Sequence, residues 1–285
     1  MGRGGVYLRL MGFWPKKVSI LGTGVSMVKK SEVVQLLGKW VGRGSRRAFI
    51  VTANAEILMW AQKHPDYRGV IGKADLVIAD GFGLMPAYWW THYVFDQGVS
   101  LGKKLTVLDW WRGFGELERV PGRILVEELC ALSARQGWRV FFLGGAAGVA
   151  EVAAEKMRKR YQSRKSGFKI MAWEGSKEAE NETIQEWVEA QRKINSFRPH
   201  FLMVAFGHPK QEEWIFRHLK DLEVGAAMGV GGTFDYLAGN ASLPSGIWGV
   251  VGLEALYRLL REPKRWRRVF TALVEFPMAV VSGVA

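Results

Sequence analysis

The sequence predicts an α/β fold, a mostly parallel β-sheet carrying helices on both faces. Three observations point there. Apolar runs of strand length recur along most of the chain. Segments of helical periodicity separate them, the alternation expected of βαβ units. Several runs also end in glycine followed by a polar helix start, as strand-to-helix turns do in such folds. In order, the strand candidates are Val18–Leu21, Ala48–Thr52, Leu76–Ala79, Arg139–Leu143, Lys169–Ala172, His200–Ala205 and Ala226–Val230. Helical patterns fill Ser31–Val41, Gly148–Tyr161 and Glu182–Asn195, with Ser31, Gly148 and Asn181 as candidate starts. No internal repeat and no low-complexity tract is present.

Two regions break the rhythm. Tyr88–Glu118 carries Trp89, Trp90, Trp110 and Trp111, which suggests a satellite core or an interfacial surface, because indole favours wet–apolar boundaries. From about Pro244 the chain has no strand signal and a strong basic bias. The expected organisation is an α/β core over 1–243, with an aromatic-rich insertion at about 88–118, and a basic amphipathic helical appendage over 244–285.

With 285 residues, 48% of them hydrophobic, the chain can bury a full core as one large domain or two small ones, and a disordered chain is excluded. Lysine and arginine number 40 against 27 acids, a formal charge of +13. That excess asks for a polyanionic partner: a nucleotide, a nucleic acid or an anionic membrane. Cys130 is the single cysteine. It sits in the helix-like LVEELCALSARQ and reads as a buried thiol, with no histidine near it in sequence to make it a nucleophile. The N-terminal stretch is broken by Arg9 and glycines, and the apolar end from Val269 contains Glu275 and Pro277, so neither reads as a signal or a membrane span. The expected location is the cytoplasm.

The densest chemistry lies in FLMVAFGHPKQEEW, Phe201 to Trp214, where a strand ends at Gly207 and Pro209 opens a polar helix start bearing Lys210, Gln211 and Glu212. Such a turn can hold phosphates or polar substrates, or can be an ordinary connection with proline at the first helical position. ADLVIADGFG sets Asp80 directly after a strand, where a carboxylate faces the ligand crevice and can serve as a general base, or can form an Asp-Gly turn. Thr52 and Asn54 close the preceding strand and can reach the same crevice or cap the next helix. Gly144 and Gly145 allow close approach of a diphosphate to a helix start, or tight strand-to-helix packing; the stretch is not a GxGxxG fingerprint. MGVGGTFDYLAGN offers a backbone nest with Thr233 and Asp235. The five histidines have no paired spacing and no Asp-x-Asp occurs, so no metal and no other cofactor is expected.

The tail addresses the charge. Arg258, Arg261, Lys264, Arg265, Arg267 and Arg268 crowd eleven residues with one acid, Glu262. After Pro263, residues Trp266, Val269, Phe270, Leu273 and Val274 fall at helical spacing. Basic residues flanking an apolar face are the pattern of a helix lying on an anionic membrane, with docking onto the protein as the alternative. The glycine and aromatic patterns of RNA-binding modules are missing, so nucleic acid is not an expected partner.

Taken together, ADLVIADGFG, RVFFLGGAAGVAE, PHFLMVAFGHPKQEEW, GVGGTFDYLAGN and GLEALYRLLREPKRWRR resemble, in order from about Val18 to Arg268, the WecG/TagA/CpsF family of bacterial glycosyltransferases. The resemblance implies a Rossmann-like core with a C-terminal membrane-associating appendage. It also implies inverting, metal-independent transfer of N-acetylmannosamine or a relative from a UDP-sugar donor to a polyprenyl-diphosphate-linked N-acetylglucosamine, in cell-surface polysaccharide or teichoic acid synthesis. By motif position Asp80 is then the general base, with Thr52 and Asn54 beside it. Gln211 contacts sugar or acceptor, Asp235 binds the donor, and Arg119 opens the R-x-x-G block. Arg258, Arg265 and Arg268 neutralise the diphosphate. Two features depart from the family pattern: the tryptophan-rich Tyr88–Glu118 segment, and Arg123–Ile124 after Gly122 where an aspartate commonly follows. A non-catalytic nucleotide-sugar or lipid-diphosphate binding protein of the same fold is the alternative, and a homo-oligomer is left open.

Overall fold

The computed structural model describes residues 15–44, 47–92, 117–161, 167–176, 179–241, 259 and 263–283. Arg258, Arg261, Trp110, Trp111 and the body of the aromatic-rich segment lie outside them. Six strands form one fully parallel sheet: β3 (Ala48–Ala53), β4 (Leu76–Ala79), β5 (Arg139–Gly144), β6 (Lys169–Trp173), β7 (Phe201–Ala205) and β8 (Ala226–Gly229). Their order across the sheet is β4-β3-β8-β7-β5-β6. Every residue of β3, β4, β7 and β8 is buried, as expected of strands covered on both faces. Side chains alternate between two cores. Phe49, Val51, Phe141, Leu143 and Leu202 enter one, and Ile50, Ile78, Val140, Phe142 and Met203 enter the other.

The expected first strand is real but stands outside the parallel sheet. β1 (Lys17–Ile20) turns back through Leu21 and Gly22, both at positive φ, and pairs antiparallel with β2 (Thr23–Ser26). Positive φ at both central residues is the tight hairpin geometry that fixes this pairing, and a leucine there carries no hairpin signal. The hairpin abuts the sheet at β4, where the Val77 N–H donates to Ser26 Oγ at 3.1 Å.

Helices fill the connections: α1 (Lys30–Gly42), α2 (Ala55–Lys63), α3 (Pro65–Gly72), α4 (Leu84–Trp89), α5 (Gly122–Gln136), α6 (Val149–Tyr161), α7 (Ile184–Phe197), α8 (Lys210–His218) and α9 (Thr233–Ala238). Thr183, two residues past the expected start, caps α7 by accepting the Glu186 N–H at 3.2 Å, and Glu186 returns the bond to the Thr183 N–H at 2.8 Å. Cys130 is fully buried in α5, and burial pushes its thiol pKa up. The C-terminal run comprises a 3-10 turn (Pro263–Arg265), α10 (Trp266–Phe270), a π-helical turn (Thr271–Glu275) and α11 (Phe276–Ser282). No helix among the described residues is long and apolar enough to cross a membrane.

Candidate active site

The sheet order carries β3, β8 and β7 side by side, so their carboxyl ends, with that of β4, open onto one crevice. There lies an open cavity of about 860 Å3, within the usual size range of small-molecule sites. It collects Thr52, Asn54, Asp80, Arg119, Gln211, Asp235, Arg265 and Arg268 from segments far apart in sequence.

Asp80 follows β4, and its backbone N–H donates to the Ala53 carbonyl at 2.8 Å. Its Oδ1 accepts the Gly122 N–H, at the start of α5, at 3.1 Å. Arg119 Nε donates to the Asp80 carbonyl at 2.8 Å. The carboxylate is thus held at a helix N-terminus where it lines the cavity. Thr52 is buried, and its hydroxyl donates to the Gly229 carbonyl at 2.9 Å, tying the ends of β3 and β8 together. Asn54 caps α2, its Oδ1 accepting the Ile57 N–H at 3.0 Å. The capping role expected as an alternative is therefore present, in a residue that also lines the cavity.

Gln211 is buried, with both ends of its carboxamide engaged. Nε2 donates to Glu212 Oε1 at 2.6 Å, and Oε1 accepts the Gly231 N–H at 2.9 Å. The carboxylate fixes which way the amide faces, and the amide in turn holds the Gly231–Gly232 turn beneath Asp235. Glu212 is fully buried, and Tyr67 OH donates to its Oε2 at 3.1 Å. The Tyr67 phenol pKa is pushed up, first by burial and then by the Glu212 charge. His208 Nδ1 lies 2.8 Å from the Tyr67 oxygen. This buried network joins α3 to the turn before α8, and no spacing in the sequence connects Tyr67 with a segment about 140 residues later.

Three predicted residues do not line the cavity. Lys210 turns away and pairs with Glu180 at 3.0 Å. Gly144 and Gly145, both at positive φ, sit at the end of β5, on the far side of β7 from β8. A side chain on Gly144 would meet the Phe206 ring at 2.9 Å, and the Gly145 N–H bonds the Ala205 carbonyl at 3.0 Å. Tight packing, the second of the two readings of those glycines, describes what is observed.

The C-terminal run closes one side. Arg268 Nε pairs with Glu56 of α2 at 2.7 Å, and the Phe276 ring lies where a Gly83 side chain would touch it at 3.6 Å. Val269, expected on the outward apolar face, turns inward and lines the cavity with Ala272 and Leu273. Trp266, Phe270, Val274, Met278 and Val281 remain exposed, so the run docks on the protein and still presents an apolar face outward. Glu56, His208 and Phe82 also line the cavity and were not singled out from sequence; Arg123, named there only as a departure from the family pattern, lines it too. Among the described residues it contains four arginines (Arg119, Arg123, Arg265, Arg268) and three carboxylates (Glu56, Asp80, Asp235). Such a site can hold a diphosphate and offer a separate carboxylate to a hydroxyl. No three His, Cys, Asp or Glu side chains among the described residues are grouped to hold a metal ion.

The sequence matches the profile of the glycosyl transferase WecG/TagA/CpsF family over residues 18–112 and 93–284. It is 29% identical, over 254 residues, to N-acetylglucosaminyldiphosphoundecaprenol N-acetyl-beta-D-mannosaminyltransferases of Staphylococcus aureus strains MW2, NCTC 8325 / PS 47 and COL. The matched region covers 89% of this chain and 87% of each relative. Six parallel strands with helices on both faces, a crevice at their carboxyl ends and a profile match over nearly the whole chain converge: the protein is a member of the WecG/TagA/CpsF family of glycosyltransferases.

Proposed function

We propose that this enzyme moves N-acetylmannosamine, or a close relative, from a UDP-sugar to a polyprenyl-diphosphate-linked N-acetylglucosamine, with inversion and without an obligatory metal. The observation that carries the reading is one cavity holding a helix-anchored carboxylate, Asp80, together with Asp235 and four arginines. Asp80 takes the proton of the acceptor hydroxyl as its oxygen attacks the anomeric carbon, and the bond to UDP breaks in the same displacement. Arg265 and Arg268 balance the charge that develops on the departing diphosphate. Asp235 holds the donor, and Gln211 acts through the Gly231–Gly232 turn that it fixes. The relatives' names support the sugar and the lipid-linked acceptor. A screen of UDP-sugars with a short-chain polyprenyl-diphosphate N-acetylglucosamine should release UDP fastest from UDP-N-acetylmannosamine, equally with or without EDTA. UDP binding with no turnover on any donor would favour a non-catalytic binding protein instead.

The same reading places the protein peripherally on an anionic membrane, through the outward face of Trp266, Phe270, Met278 and Val281 and its flanking arginines. Replacing both Phe270 and Met278 by aspartate should reduce co-sedimentation with phosphatidylglycerol vesicles by about tenfold or more, since each loses apolar burial and gains repulsion. Unchanged co-sedimentation would remove this face as the anchor. RNA affinity without vesicle association would point to a nucleic-acid partner.

A further inference from the structure

The cavity is lined by apolar as well as charged side chains. Phe82, two residues after Asp80, lines it with 42% of its surface exposed. Ile57, Val269, Ala272 and Leu273 line it as well. Leu273, in the π-helical turn, is 50% exposed and lies between the cavity and the outward apolar face of the C-terminal run, with Phe270 and Val274 adjacent in that helix. A π-turn inside a helical run is a feature often found at functional positions. Two half-exposed apolar side chains thus line the cavity, Phe82 close in sequence to Asp80 and Leu273 on the C-terminal run whose Phe270 and Val274 face outward.

We infer that Phe82 and Leu273 bind the first isoprene units of a polyprenyl chain and lead it from the cavity onto the outward face of the C-terminal helix. The inference rests on the acceptor class proposed above. It deepens that reading by assigning a tail path and two residues that set preference for lipid over soluble acceptors. Along the C-terminal run the lining changes from cationic to apolar: Arg265 and Arg268, assigned above to the departing diphosphate of UDP, are followed one to two turns later by Ala272 and Leu273. A nucleotide base stacking on Phe82 is the competing occupant.

The test uses the full chain and calorimetric titration with three probes: farnesyl diphosphate, inorganic diphosphate and UDP. The wild-type protein should hold farnesyl diphosphate at least about tenfold tighter than inorganic diphosphate, the effect of burying one or two apolar groups. A Phe82→Ala/Leu273→Ala variant should lose most of that preference and keep its UDP affinity within about twofold, which also shows that it is folded. Ile184→Ala, at an exposed apolar residue of α7 that does not line the cavity, should keep the preference. An undiminished preference in the double variant would overturn the path. So would a fall in UDP affinity with farnesyl binding intact, which assigns Phe82 to the base, or an equal loss in Ile184→Ala, which indicates unspecific adsorption to exposed apolar surface. Farnesyl preference without any sugar transfer by the wild-type protein would remove the transfer reading and leave the path. Transfer without the preference would do the reverse.

Discussion

Asp80→Asn should lower kcat by a factor of about 10²–10⁴ with little change in the KM of either substrate, the loss expected when a positioned general base is removed. The substitution separates charge from architecture. Asparagine keeps an oxygen to accept the Gly122 N–H, and the bond that the residue 80 N–H donates to the Ala53 carbonyl and the one its carbonyl accepts from Arg119 are backbone bonds, so they survive. What goes is basicity toward the acceptor hydroxyl. The thermal transition and UDP binding should therefore stay near wild type, as calorimetry would read. Full activity in the variant would remove Asp80 as the base. A collapse of UDP binding along with activity would assign it to donor binding instead.

Gly229→Ala should be the most damaging single methyl group near the site. A Cβ on Gly229 would fall 2.7 Å from Gln211 Nε2 and 2.8 Å from Glu212 Oε1. Neither neighbour is a loose surface end: both side chains are buried, and each is hydrogen-bonded to the other. The clash therefore pushes on the network that fixes the Gly231–Gly232 turn through Gln211. Overpacking of this kind costs about 1–3 kcal/mol, which for a chain of this size lowers Tm by several degrees, at about 2–4 °C per kcal/mol. Donor KM should rise with it, because the turn below Asp235 shifts. Gly69→Ala in α3 makes the comparison, since its added Cβ meets nothing within 4 Å. That variant should be neutral or slightly stabilised. Equal behaviour of the two in thermal melts would contradict the role assigned to the Gln211–Glu212 pair.

Much of the fold was legible because the signals are local. Buried parallel strands read as unbroken apolar runs, and all six strands of the sheet fall within one or two residues of their expected positions. The hairpin was not legible. It depends on Leu21 adopting positive φ, a backbone state that leucine does not advertise. In the site, residues at the carboxyl ends of strands were legible, since Thr52, Asn54, Asp80, Gln211 and Asp235 all reach the cavity. Position alone could not separate roles there. Thr52 and Gln211 spend their polar groups on Gly229, Gly231 and Glu212, which only three-dimensional proximity reveals. Gly144 and Gly145 carry the same sequence signal as a phosphate turn, yet β7 separates their strand from β8. Tyr67 and Phe82 were missed for opposite reasons. The tyrosine acts across about 140 residues of chain, and a phenylalanine in a loop offers no pattern at all.

Mass spectrometry of a polyprenyl-diphosphate N-acetylglucosamine, after incubation with the protein and UDP-N-acetylmannosamine, decides whether the crevice above β3, β4 and β8 transfers sugar to a lipid-diphosphate acceptor. The acceptor should gain the mass of one N-acetylhexosamine residue, matched mole for mole by free UDP. An acceptor of unchanged mass, with UDP-sugar bound but intact, would exclude the transfer.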